Sequence, residues 1–166
     1  LDPRGYGVCR ILYAGSRAFT GEPLTMHAAQ VLCDHVKEND LVYILVGFVL
    51  LPHKVPEMDG TVSAMLLARA LVMAFNAKPV IVCPSDSVQA IEKCAAVVGL
   101  HIYEDLDIVQ ELPLSMGVVA FTKDKAAAPA QATELAARKP AAVISVEASG
   151  ANALGVYHNA VGKDVT

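Results

Sequence analysis

Charge is scarce in this 166-residue sequence: Lys, Arg, Asp and Glu together make up only 18%, and 13 bases against 17 acids leave a net charge of -4. Without a positive surplus the chain has little with which to neutralise a phosphate backbone, which argues against nucleic-acid binding. The 4 cysteines, Cys9, Cys33, Cys83 and Cys94, form no CxxC pair. Their wide spacing argues against a disulfide framework or a thiolate zinc site, and they read as small buried hydrophobes in a reducing compartment. Nor do the 5 histidines show HExxH or another metal-ligand spacing. No GxGxxG follows a strand, and GxxxxGKS/T and GxSxG are missing, so dinucleotide, P-loop and esterase chemistry lack their mechanical parts.

No basic stretch followed by an apolar run opens the chain, and the longest apolar run, Leu41 to Pro52, is too short to span a bilayer. The expectation is an intracellular protein with no membrane partner. The first residue is Leu1 rather than methionine, which reads as a piece of a longer chain.

Apolar residues are abundant at 54%. That exceeds the usual balance, so part of the apolar surface is expected to be covered by a partner, such as another copy, or by chain absent from this sequence. The length suits a single α/β domain over residues 1–166. Val8 to Ala14 is compatible with either strand or helix, whereas Leu24, Ala28, Val31, Leu32 and His35 recur at helical spacing. Leu41 to Leu51 and Pro79 to Cys83 lack polar alternation, as strands covered on both faces do. Thr61 to Ala74 is a helix whose single charge, Arg69, implies cover on most of its circumference. A helix capped by Ser85 or Asp86 follows and closes at Gly99. His101 to Tyr103 reads as an edge strand, Met116 to Phe121 and Ala142 to Val146 as core strands, and Ala126 to Ala137 as a helix. This succession predicts a three-layer α/β sandwich with a mainly parallel sheet. Its topology is Rossmann-like without the dinucleotide fingerprint, and ligands collect beyond the carboxyl ends of the strands.

Two connections after core strands carry the polar chemistry. In Pro56-Glu57-Met58-Asp59-Gly60, Asp59 is placed as a helix N-cap, with the N–H groups of Thr61, Val62 and Ser63 open to an anion. Glu57, inside the connection, is either a solvated loop residue or half of a carboxylate pair with Asp59. Such a pair could divide acid and base duties or hold a divalent cation through oxygen ligands. The second connection, Glu147 to Asp164, combines glycines with an acid, an amide, a phenol and an imidazole, though a turn-rich surface loop shares that composition.

Val46-Gly47-Phe48, Pro56-Glu57-Met58-Asp59-Gly60 with Leu67-Ala68-Arg69-Ala70-Leu71, and Val143-Ile144-Ser145-Val146-Glu147 through Gly150, Gly155, Tyr157, Asn159, Gly162, Lys163 and Asp164 resemble the D-glutamate cyclase family. That family's pattern is similar to T-G-F, then P-E-T-D-G-P-x-G with L-A-R-A-L, then E-R-P-G with G-x-Y-x-N-x-x-G-x-D. Valine stands here at 46 and methionine at 58 where the family has threonine. Thr61 to Ala64 replaces P-x-G, and Ala148-Ser149 replaces Arg-Pro.

The resemblance implies a hydro-lyase that converts D-glutamate to 5-oxo-D-proline by intramolecular loss of water. Its location would be cytoplasmic in bacteria and the mitochondrial matrix in eukaryotes. Carried onto this chain, the resemblance marks Gly47, Glu57, Asp59, Gly60, Glu147, Gly150, Tyr157 and Asn159 as the candidate site. By their chemistry Glu57, Asp59, Glu147 and Tyr157 are the catalytic candidates and Gly47, Gly60, Gly150 and Asn159 substrate-binding ones, joined by Thr61 through its helix-start N–H. The partner is a small acidic metabolite, and no cofactor is called for beyond a divalent cation that the carboxylates could hold. The family continues past the last residue of this chain, so the domain is expected to be incomplete at its C-terminus. Two other readings stay open: a module that binds a carboxylate or phosphate metabolite without turnover, and a structural or regulatory assembly domain.

Overall fold

The structure is a computed structural model that describes residues 7–50, 55–148, 150–158 and 162–164. The chain divides into two compact units, Leu1–Val36 and Lys37–Thr166. The first is a helical hairpin of α1 (Val8–Thr20) and α2 (Leu24–His35). The undecided segment at Val8 to Ala14 is thus helical. Gly21, at φ 77°, ends α1, its N–H donating to the Arg17 carbonyl. That backbone region suits glycine best. One side of α1 carries Ile11, Leu12 and Phe19, which are widely exposed.

The second unit contains β1 (Leu41–Leu45), β2 (Val49–Leu50), β3 (Val55–Pro56), α3 (Met58–Phe75), β4 (Lys78–Pro84), α4 (Ser85–Val98), β5 (His101–Tyr103), α5 (Leu106–Glu111), β6 (Ser115–Phe121), α6 (Ala128–Ala137) and β7 (Ala142–Ser145). Five strands form one sheet in the order β5-β6-β4-β1-β7, and every neighbouring pair is parallel. The expected α/β sandwich is the observed fold. Tyr43, Val80 and Val82 pack on one face with Leu106 and Val109 of α5, and the Tyr43 hydroxyl donates to the Leu135 carbonyl of α6. Side chains alternate across a strand, so Val42, Ile44, Ile81 and Cys83, all buried, belong to the opposite face. There α3 and α4 lie against each other and over β4. Each large apolar side chain fully buried in these layers contributes about 1.5–3 kcal/mol.

Several elements depart from the sequence reading. The Leu41 to Leu51 strand is broken: β1 stops at Leu45, and Val49–Leu50 pairs antiparallel with Val55–Pro56. Helix α3 begins at Met58 and buries one face only, through Gly60, Thr61, Ala64, Met65, Ala68, Leu71 and Val72. Its outer face exposes Met58, Val62, Leu66 and Met73. Composition suggested cover on most of the helix because these outer residues are apolar too. The short helix α5 follows an N-cap, Asp105, whose carboxylate accepts the Asp107 N–H. Of the cysteines, Cys83 is buried and Cys94 partly so, while Cys9 and Cys33 are exposed. A reading of all four as buried hydrophobes therefore fails for two, both on the open helical hairpin.

The first residue of β4, Lys78, is only 3% exposed. Its ammonium donates to the Leu112 carbonyl at 2.5 Å and to Ser115 Oγ at 3.4 Å, while the Ser115 hydroxyl, with one proton to donate, lies 2.6 Å from both the Val109 and the Leu112 carbonyls. Burial pulls the Lys78 pKa below the ordinary 10.5, against a smaller opposing pull from Glu38. Between the lowered value and 10.5 the folded chain holds fewer protons on this group than the unfolded chain, so its contribution to stability rises with pH. Cys83 acts in the other direction, because burial raises its thiol from 9.0 to about 11. Its contribution falls as pH climbs past 9.0. We expect Lys78→Met to lie within about 1 kcal/mol of wild type at neutral pH, since removing the ammonium gives up its bond to the Leu112 carbonyl and its desolvation cost together. Lys78→Ala is expected to cost about 2–3 kcal/mol through the space it leaves. Urea melts from pH 8 upward should show the Lys78 slope in wild type and its loss in Lys78→Met.

Candidate functional site at the carboxyl ends of two strands

Beyond Leu45 the backbone keeps its sheet partner for one more residue, the Val46 N–H donating to the Val82 carbonyl at 3.1 Å. Gly47 then passes close to Pro84. A Cβ at position 47 would lie 3.0 Å from Pro84 Cδ, so a side chain there would crowd the start of α4. The β2–β3 hairpin reverses the chain, and the Glu57 N–H donates to the Phe48 carbonyl at 2.9 Å. Through this reversal a residue ten positions beyond Gly47 returns to its side.

Helix α3 starts two to three residues earlier than the sequence indicates. Its N-cap is Glu57, in extended conformation and without a side-chain cap bond. Asp59 is therefore not the cap. It lies in the first turn, exposed, and its carboxylate accepts the Gly60 N–H at 2.8 Å. The early start follows from Pro56 and Glu57 being held by the hairpin, which leaves Met58 as the first residue able to turn. The N–H groups of the first turn thus belong to Met58, Asp59 and Gly60 rather than to Thr61, Val62 and Ser63.

On the neighbouring strand, the Val146 N–H donates to the Leu45 carbonyl at 2.9 Å, carrying the β1–β7 pairing past Ser145. Glu147 follows with φ 46°, a left-handed conformation that costs a non-glycine residue about 1–2 kcal/mol. This conformation lays Glu147 on Gly60. A Cβ at Gly60 would lie 2.5 Å from Glu147 Cβ and 3.0 Å from its Cγ. Only a glycine permits that approach without displacement.

Together these features form a crevice lined by Gly47, Glu57, Gly60, Thr61, Ser87 and Glu147, too narrow to hold a water molecule. Five of the sequence-designated residues meet here. Thr61 is buried, and its hydroxyl reaches the Glu57 carbonyl at 3.3 Å. Ser87 is an addition. It lies in the first turn of α4, only 2% exposed, and its signal was the polar Ser-Asp-Ser after Pro84, of which the sequence reading used only Ser85 and Asp86, as caps. Neither Ser85 nor Asp86 caps α4, whose N-cap is Pro84. Asp86 pairs instead with Lys123 at 2.6 Å, which holds its carboxyl below the usual range.

The remaining designated residues fall elsewhere. Tyr157 lines a separate groove of about 1080 Å³, whose apolar wall includes Leu45, Val82, Phe121 and Leu135 and whose cations are Lys123, Lys125 and Lys139. The Val46–Phe48 segment borders both spaces. Gly150 does not line the crevice, and nothing lies within 4 Å of where its Cβ would be. Asn159 lies outside the described residues. The backbone around Tyr157 is set by Asn152, whose side-chain oxygen accepts the Leu154 and Val156 N–H groups, and by the bridge from Ala151 to Tyr157. Among the described residues no three His, Cys, Asp or Glu side chains gather as a metal-ligand group.

The carboxylates of Glu57 and Glu147 and the hydroxyls of Thr61 and Ser87 thus gather beyond the carboxyl ends of the strands, the place where parallel α/β sheets ordinarily bind ligands. The chain belongs to the family described as D-glutamate cyclase-like, C-terminal, which it matches over residues 1–166. No curated protein and no solved structure matches it. Among its departures from the family pattern, Val46 and Thr61 line the crevice, Ala148 lines the groove, and Met58 faces outward at 49% exposure.

Proposed function

We propose that this domain performs the chemistry its family name describes, the closure of D-glutamate to 5-oxo-D-proline with loss of water. The observation that carries this reading is the Gly60–Glu147 contact, which draws the start of α3 onto the end of β7 and so puts Glu57 and Glu147 on one crevice. One of the two, as carboxylate, takes a proton from the substrate ammonium. The freed amine nitrogen attacks the side-chain carboxyl carbon and forms the C–N bond. The nitrogen gives up a second proton to reach the amide, and the C–O bond breaks with its electron pair on the oxygen, which takes two protons, one from the other acid and one returned by the first, and departs as water. Nucleophile and carbonyl belong to one molecule, so proton transfer and charge stabilisation are the protein's main tasks. Admission of a substrate requires the Glu147 segment to move off Gly60, because the crevice is closed. An intracellular location accompanies this reading.

A second reading, recognition of an acidic metabolite without turnover, draws on the larger groove. Lys125 and Lys139 border it with no ion-pair partner among the described residues. Chiral chromatography of products from D- and L-glutamate, with and without divalent cations, separates the two. We expect 5-oxo-D-proline from the D-enantiomer. A saturable thermal shift with acidic metabolites and no product under any condition would replace cyclisation by binding.

A further inference from the structure

Ser87 is almost fully buried, at 2% exposure, yet its hydroxyl has no hydrogen-bond partner among the described residues. Every fully enclosed side-chain nitrogen or oxygen among those residues does have one. The Ser87 oxygen therefore keeps the residue's small accessibility, and the space the residue lines is the crevice of Glu57, Thr61 and Glu147. A hydroxyl this nearly buried and without a protein partner is poorly solvated in the empty protein, and native structures rarely retain one without use. Its setting suits an anion. Ser87 lies in the first turn of the 14-residue helix α4, and Gly60 and Thr61, on the same crevice, lie in the opening turns of α3. The start of α4 thus turns its positive end to this space, whereas at α3 the Gly60 N–H is already taken by the Asp59 carboxylate. The acid in the first turn of α4 does not compete, since Asp86 borders the groove instead and is paired with Lys123.

We infer that Ser87 is a substrate-binding residue whose hydroxyl, together with the start of α4, receives the carboxylate that cyclisation leaves intact. This rests on the cyclase reading for the identity of the substrate. It divides the crevice by charge: Glu57 and Glu147 face the ammonium and the reacting carboxyl, while Ser87 and Thr61 face the spectator carboxylate. The division has a chemical consequence. The product retains the spectator carboxylate and has lost the reacting one, so Ser87 must matter equally to substrate and product.

The test is calorimetric titration of D-glutamate and 5-oxo-D-proline into the full chain and its Ser87→Ala variant, with thermal melts of both proteins without ligand. Loss of a hydrogen bond to a charged group should weaken both ligands by roughly ten- to a hundred-fold. The ligand-free variant should melt no lower than wild type, because it gives up an unsatisfied hydroxyl. A purely structural serine would lower the melting temperature and spare affinity, which overturns the inference. Weakened D-glutamate with unchanged 5-oxo-D-proline would also overturn it, by moving Ser87 to the reacting carboxyl. If both ligands depend on Ser87 but no product forms, the carboxylate site stands and the cyclase reading falls. If wild type binds neither ligand, both fall.

Discussion

Glu147→Gln lowers the rate of D-glutamate cyclisation by about 10²–10⁴-fold while leaving the fold intact. Glutamine keeps the length and shape of the side chain that rests on Gly60, so the crevice retains its wall; what disappears is the ability to take or give a proton. Steady-state product formation together with circular dichroism measures both halves of this statement. The backbone supplies a second arm. Glu147 sits at φ 46°, where glycine would be more comfortable by about 1 kcal/mol. Glu147→Gly should therefore hold or raise the melting temperature and still abolish turnover. A residue kept in a strained conformation against its own stability is the pattern expected where the side chain is needed for function. Wild-type turnover in Glu147→Gln would reduce Glu147 to a packing residue and leave Glu57 as the one crevice carboxylate among the described residues.

The layers of this fold could be read from sequence because buried parallel strands carry an unbroken apolar signal. Pro79 to Cys83 is buried along its whole length, and so it reads the same in one dimension as in three. The hairpin at Val49–Leu50 and Val55–Pro56 was hidden for the same reason, since its apolar residues continued the run from Leu41. Helix α3 illustrates a different limit. Its inner and outer faces are both apolar, and composition cannot tell a covered face from an open one. At the site, the pairing of the Gly60 and Glu147 connections was legible because each follows one of two strands that the parallel order makes neighbours. Ser87 was not, because its role depends on burial, and a serine in a first helical turn ordinarily reads as a cap. Tyr157 shows the converse: it shares a connection with Glu147 in sequence, but the turn held by Asn152 carries it to the other space.

Gly60→Ala sets two physical effects against each other, and their magnitudes decide the outcome. Within a helix, alanine in place of glycine is favourable by about 0.5–1 kcal/mol. The added Cβ would lie 2.5 Å from Glu147 Cβ, whereas carbon atoms rest at about 3.5–4.0 Å. The contacted atom is the stem of the side chain next to the backbone and cannot swing away as a flexible tip would. Glu147 must therefore retreat by about 1 Å, at a cost of about 1–3 kcal/mol for overpacking. The clash outweighs the propensity gain, so Gly60→Ala should lower the melting temperature. If Glu147 acts at the reacting atoms, that shift should also reduce turnover by about 10²-fold. A double-mutant cycle tests the contact without reference to any activity. Combined with Glu147→Gly, which has no Cβ to meet, Gly60→Ala should recover its helical advantage, giving a coupling of about 1 kcal/mol or more. Additive stabilities would mean that α3 and the end of β7 do not touch in solution. The crevice, and the chemistry assigned to it, would then lose their geometric basis.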